Sequence, residues 1–230
     1  MSKLRVRQHV NPLSVQYQQA ISAPDWQAVY QQSEQPLHLD IGCARGRFLL
    51  QMAQAYPERN FLGVEIRHSL VEAARQEQQA LGLGNLCYLF GNINFQSESL
   101  LASLPGQLQW VTIQFPDPWF KKRHGKRRVA QPELVAILGQ YVVAGGTVFV
   151  QSDVLPVAQE MEALFREHPA FEKQHHEPWL ETNPMLFPTE RELYVLALGK
   201  PVYRALFHKR KVAVASGVGE AQGSQKSGSK

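Results

Sequence analysis

From residue 35 onward the apolar positions alternate between two periods. Short apolar runs of strand length fall at 37–41, 60–65, 85–90, 108–115 and 147–151. Between them, residues 46–55, 69–81, 98–104, 132–143 and 156–168 carry apolar side chains at helical spacing. Phe48, Leu49, Met52 and Ala53, for example, share one face of the first of these. Regular strand–helix alternation predicts an α/β fold, a parallel doubly wound sheet with helices on both faces. The end of the chain breaks the rhythm. Residues 171–178 read as a strand, and Thr189-Glu190-Arg191-Glu192 has capping-box spacing that opens a helix closing at Gly199. Residues 201–207 then alternate with period two. A hairpin-like pair therefore finishes the sheet, and Gly145-Gly146 reads as a turn before the fifth strand.

Outside this region the patterning weakens. Residues 1–12 are polar and basic with a turn at Asn11-Pro12, and 14–32 read as a helical preamble broken near Pro24. The chain thus divides into an N-terminal arm and preamble at 1–34, a sheet domain at 35–212, and a Gly-, Ser- and Gln-rich tail at 213–230. That tail has little to bury and is expected to be disordered. No apolar run approaches the roughly 20 residues of a membrane-spanning helix, and the first residues lack an apolar signal core. A cytoplasmic protein with no membrane partner is expected. Cys43 and Cys87 have no paired ligand spacing and read as small buried hydrophobes. His175-His176, the only histidine pair, has no acid or thiol cluster nearby, so no metal site is assigned.

Charge changes the picture through its placement. The formal charge is +4, and the residues from His208 onward, with five Lys or Arg against one acid, account for all of it. The rest is formally neutral, but six of the eight residues at 121–128 are Lys or Arg: Lys121, Lys122, Arg123, Lys126, Arg127 and Arg128. Such a focused patch steers a polyanion to one place. It follows Phe115-Pro116-Asp117-Pro118-Trp119-Phe120, which puts a carboxylate and two aromatic rings where a buried strand meets solvent. One acid, stacking surfaces and dense cationic charge suit a site that grips a nucleic-acid backbone and presents one base to a carboxylate. A solvated loop ended by prolines is the plainer alternative.

A second cluster sits at the ends of the earlier strands. Asp40-Ile41-Gly42-Cys43-Ala44-Arg45-Gly46 joins the first strand to the first helix, where glycines permit a tight turn and close approach of a ligand. The spacing does not match the G-x-G-x-x-G of dinucleotide dehydrogenases. An acid two residues before the first glycine instead suits S-adenosylmethionine, which carries cationic groups and no phosphate. Glu65, ending the second strand, is placed to accept from a ribose diol. Asn92 after the third strand is either a turn residue or a contact for an adenine edge. Asp153 after the fifth is either a helix cap or a site acid, and Thr189 and Glu192 are explained equally by a capping box. Trp119, Phe120 and Trp179 either stack on bases or pack internally.

Taken together, these residues resemble the tRNA (guanine-N7-)-methyltransferase family. The resemblance runs from Arg5–Leu13 through 40–46, Gly63-Val64-Glu65-Ile66-Arg67, 115–128 and Gln131-Pro132-Glu133 to Asp153 and 189–192. The Phe-Pro-Asp-Pro-Trp-x-Lys-Lys-Arg-His stretch carries most of its specificity. It implies a class I, Rossmann-like methyltransferase with seven strands, one antiparallel, over 35–212. It implies methylation of N7 of guanine 46 in the tRNA variable loop, with S-adenosylmethionine as cofactor and tRNA as partner. Carried over by position, cofactor contacts fall on Asp40, Gly42, Gly46, Glu65, Arg67, Asn92 and Asp117. The catalytic acid falls on Asp117, and substrate contacts on Lys121, Asp153, Thr189, Glu190, Arg191 and Glu192. Ala44 and Asn92 depart from the Gly and Asp of many members. Monomer and homodimer both remain open, as do a non-catalytic RNA-binding module and a methyltransferase for a small molecule or protein.

Overall fold

The computed structural model describes residues 10–211. The expectations for the first nine residues and for the tail fall outside the described part. Seven strands form one sheet: β1 (Leu37–Ile41), β2 (Asn60–Glu65), β3 (Leu86–Phe90), β4 (Leu108–Gln114), β5 (Val142–Ser152), β6 (Phe171–Lys173) and β7 (Tyr203–Lys209). Their order is β3-β2-β1-β4-β5-β7-β6. β1 pairs in parallel with β2 and β4, β2 with β3, and β4 with β5. Only β7 runs antiparallel to its neighbours β5 and β6. The order reverses between β1 and β4, which opens a crevice at their carboxyl ends.

The helices are α1 (Trp26–Val29), α2 (Arg47–Ala55), α3 (His68–Leu81), α4 (Ser97–Ala102), α5 (Pro132–Tyr141), α6 (Leu155–Glu167) and α7 (Glu190–Ala197). Period-two alternation divides the central strands between two faces. Leu37, Leu39 and Ile41 join one core with Leu100 of α4, Leu134 of α5 and Phe165 of α6. Phe61 and Tyr88 join the other with Phe48 and Leu49 of α2 and Val71 of α3. Every residue of β1 and β2 is buried, so each large apolar side chain there contributes about 1.5–3 kcal/mol.

Three expected elements differ. The preamble is a 3-10 turn at Val15–Tyr17 and the single turn α1, because its buried residues anchor separately rather than lining one helix face. Trp26 stacks on Tyr30 at 5.6 Å, and the Tyr30 hydroxyl donates to the Phe61 carbonyl. The glycine pair at 145–146 lies inside β5: Leu108 is registered with Val142 but Trp110 with Thr147, so the extra residues form a bulge around Gly145 at φ +80°. The strand expected at 171–178 stops at Lys173: the Gln174 amide still donates to the Leu206 carbonyl, but the Leu206 amide donates to a side-chain nitrogen of His175 rather than to a backbone carbonyl.

Candidate functional site

Four chain segments meet at the carboxyl ends of the strands. The first is the turn after β1. Gly42 (φ +80°), Ala44 (φ +51°) and Gly46 (φ +71°) all take the left-handed conformation, and Gly46 caps α2. At Gly46 the requirement for glycine is double, because an added Cβ would lie 2.4 Å from the Tyr88 ring, whose hydroxyl donates to the Gly46 carbonyl at 2.7 Å. A Cβ at Gly42, by contrast, would enter open space.

Glu65 ends β2 with a 2% exposed carboxylate that accepts from the Ala44 amide at 2.9 Å. It also accepts from the Arg67 amide and from the Arg67 guanidinium through Nε and Nη2. Burial opposes the charge of Arg67, but Glu65 and, to a smaller extent, Asp117 more than offset it and hold its pKa above the ordinary value. Arg67 thus ties the second strand end electrostatically to the fourth. Asn92 donates to the Pro12 carbonyl at 3.1 Å and accepts from the Asn94 amide, so it fixes the described start of the arm against the β3 loop.

After β4, Phe115 (φ +49°) and Trp119 (φ +42°) bracket Asp117 in conformations that L residues seldom adopt. Arg128 donates to the Pro118 carbonyl and pairs with Glu160 of α6, and Arg127 lies 5.0 Å over the Trp119 ring. These two members of the basic run hold the loop's shape. Lys121, Arg123 and Lys126 are exposed. The fourth segment is the start of α7. Thr189 caps it by accepting from the Glu192 amide, Glu190 pairs with Arg47, and Arg191 pairs with Asp153. Asp153 caps no helix: Val154 precedes α6, and the Val154 amide donates to the Ser152 hydroxyl.

Two adjoining hollows result. Gly42, Glu65, Arg67, Asn92, Asp117 and Trp119 border the first, with Val10 and Pro12 of the arm. Asp40, Arg47, Asp153, Thr189, Glu190 and Arg191 border the second, with Phe120 at its rim. Gly42, Arg67, Gln114, Phe115, Pro116 and Asp117 belong to both. Asp40, Glu65 and Asp117, expected together as cofactor contacts, border a pair of hollows with a common wall, and Asp117 is in that wall.

Glu192 differs from its expected role as a substrate contact. It is 1% exposed and turned into the sheet, where it accepts from Arg204, Gln151 and Asn183. Gly46 likewise packs under the turn rather than bordering either hollow, and Arg128 faces α6 rather than an open surface.

Sequence reasoning missed a row of buried polar side chains beneath the site. His38 Nε2 lies 3.1 Å from Thr112 Oγ1, and Thr112 donates to Asp40 Oδ1 at 2.6 Å. Gln114 Nε2 reaches the same oxygen at 3.4 Å, and Gln151 donates to Gln114 and Glu192. Burial pushes Asp40 up to about 6, against the Thr112 and Gln114 hydrogen bonds, and pushes His38 down to about 3. The available signal was a polar residue two positions from another in a mainly apolar strand, as at 38/40 and 112/114.

Comparison with known proteins bears on this arrangement. Residues 34–205 match a family described as "Putative methyltransferase". The tRNA (guanine-N(7)-)-methyltransferase of Microcystis aeruginosa is 62% identical over 211 residues, covering 91% of this chain and 100% of that one. The enzyme of the same name from Synechocystis sp. is 56% identical, covering 91% and 99%. The chain belongs to the tRNA (guanine-N(7)-)-methyltransferase family. Among solved structures, Precorrin-6y C5,15-methyltransferase from Geobacter metallireducens superposes with a TM-score of 0.51 at 13% identity, covering 79% of this chain and 85% of that one, a likeness of fold. As in other class I methyltransferases, this family member has seven strands with β7 reversed, the architecture the sequence resemblance implied.

Proposed function

We propose that this protein transfers the methyl group of S-adenosylmethionine to N7 of guanine 46 in the variable loop of tRNA. The observation that carries the reading is the common wall: a donor with its nucleoside in the first hollow and its amino-acid end crossing that wall past Gly42 toward Asp40 would meet, at Asp117, a base in the second. Family membership supports the reaction type.

The residues present fit the donor. Gly42 leaves the floor of the turn open where a Cβ would intrude, and two carboxylates, Asp40 and Glu65, stand at adjacent strand ends. In this reading Asp40 receives the amino group. Glu65 receives the ribose diol once the Arg67 fork yields one of its bonds, and Asn92 lies by the adenine. The bound donor supplies an electrophilic methyl on a sulfonium centre.

Guanine N7 has an unshared pair and no proton, so the protein needs no general base, and alignment supplies most of the acceleration. Asp117 accepts from the guanine N1–H and exocyclic amine and offsets the positive charge that develops on the ring. Asp153, Thr189, Glu190 and Arg191 border the base and its neighbours. Lys121 and the exposed cations of 121–128 hold phosphates.

The test is transfer of labelled methyl to bulk tRNA, followed by chain cleavage at 7-methylguanosine. Cleavage at position 46, lost when that guanine is replaced by adenine, is the expected result. Label at another position, or label that survives the replacement, overturns the assignment.

A further inference from the structure

The hydrogen-bond chain under Asp40 has a fixed direction. Thr112 has one hydroxyl proton, and at 2.6 Å it goes to Asp40 Oδ1. The Thr112 oxygen can therefore only accept from His38, 3.1 Å away, which requires a proton on Nε2; because burial pushes the ring's pKa down, this is the neutral Nε2–H tautomer. The ring sits among Phe48, Phe61 and Trp110, at centroid distances of 5.9, 5.6 and 6.1 Å. An apolar side chain would fill that aromatic box without the desolvation cost of an imidazole, so the polar ring needs a reason. Both bonds to Asp40 fall on Oδ1, and Asp40 borders the second hollow beside the glycine turn, leaving Oδ2 for a ligand.

We propose that His38 and Thr112 are positioning residues for the methyl donor: together they orient the Asp40 carboxylate and keep it charged for the donor's cationic amino group. This rests on the reading that Asp40 receives that group. His38 acts through Thr112. By filling the threonine oxygen it leaves the hydroxyl proton only one acceptor, the carboxylate. The loss of burial's penalty on that charge is partial, since the carboxylate remains pushed up to about 6 with the bonds in place. Without them it shifts further toward the neutral acid, which cannot hold an ammonium by charge.

Other charged or titratable groups surround Asp40: Glu65 on β2, Tyr88 on β3, Cys43 in the turn, Arg47 on α2, Arg67 and Asp117. Burial pushes Cys43 and Tyr88 well upward, so they stay protonated through the neutral range. The variant Asp40→Asn separates Asp40 from Glu65 and Asp117.

The experiment is calorimetric binding of S-adenosylhomocysteine, which keeps the amino group, at pH 6 and pH 8. If losing the hydroxyl raises the Asp40 midpoint by about one unit, Thr112→Val binds roughly fivefold more weakly than wild type at pH 6 and nearly equally at pH 8. Thr112→Ser tracks wild type, and the pH-dependent gap disappears in an Asp40→Asn background. An equal loss at both pH values, or no loss, overturns the proposal. Asp40→Asn binding as tightly as wild type at both would instead sink the underlying reading of Asp40. Should Thr112→Val not fold, nitrogen NMR of the unaltered protein decides. His38 is expected as the neutral Nε2–H tautomer from pH 5 to 8, and an Nδ1–H tautomer or titration near 6.5 overturns the chain's direction.

Discussion

Glu192 of α7 and Arg204 of β7 form an ion pair at 2.7 Å, with side-chain exposures of only 1% and 6%. Gln151 and Asn183 complete the hydrogen bonding of the carboxylate, and Arg204 also donates to the Glu181 carbonyl. Removing one partner strands a buried charge. Arg204→Ala and Glu192→Ala should each lower stability by about 3–5 kcal/mol in urea unfolding. Were Glu192 a direct substrate contact, Glu192→Gln would raise KM while leaving the unfolding midpoint in place. The expected outcome is a lower midpoint.

Asp117→Asn keeps the shape of the side chain and removes the charge facing both hollows. Turnover should fall by about 10²–10³-fold, while affinity for S-adenosylhomocysteine changes by less than tenfold. Single-turnover kinetics with tRNA, together with calorimetry, measure the two effects separately. Near-normal turnover would refute the role given to this carboxylate.

The basic run contains two kinds of residue, and salt separates them. Arg123→Ala, an exposed cation, should lower the slope of log affinity for tRNA against log salt by about 0.7–0.9. Arg128→Ala removes the tie to Glu160 and Pro118. It should lower kcat by loosening the Asp117 loop while leaving the slope nearly unchanged. Filter binding between 50 and 200 mM salt tests both.

Ala44 holds a left-handed conformation at φ +51°. Glycine there removes a cost of about 1–2 kcal/mol and adds less than that in unfolded-chain freedom. Ala44→Gly should therefore raise stability by about 0.5–1 kcal/mol, seen as an increase in Tm. Gly46→Ala, which forces a Cβ into the Tyr88 ring, should do the reverse and by more.

His38 and Asp40 impose opposite pH slopes on stability. The unfolded chain protonates His38 near 6.5 but the folded one only near 3, so stability is lost as pH falls through that interval. Asp40, near 6 when folded against an ordinary 3.8, takes its proton first in the folded chain and adds stability as pH falls from 6 to about 4. Relative to wild type, His38→Phe should gain stability on acidification from pH 6 to 4, and Asp40→Asn should lose it. Each change is on the order of 1 kcal/mol per pH unit, measured by urea unfolding. Parallel pH profiles for all three proteins would count against both assignments.

The sheet was legible because its signals are local. The five central runs are apolar enough to be buried on both faces, and the glycine turn, the proline-bracketed acid and Thr189 all act within a few residues of themselves. The preamble and the strand at 171–178 were misjudged for a related reason. Their ends are set by distant partners, Phe61 for Tyr30 and Leu206 for His175, which local periodicity does not contain.

The amino-acid order by itself determined the parallel alternation, the period-two run near the end and the residues at the strand ends, because period and turn chemistry are written along the chain; the reversed strand came with the family resemblance. Only tertiary structure decided what each polar group faces. It turned Glu192 and Arg128 inward, joined His38 to Asp40 through Thr112 of another strand, and set Asp117 in a wall common to two hollows. Those outcomes depend on strand register and order, since a partner across the sheet is chosen by packing among residues far apart in sequence.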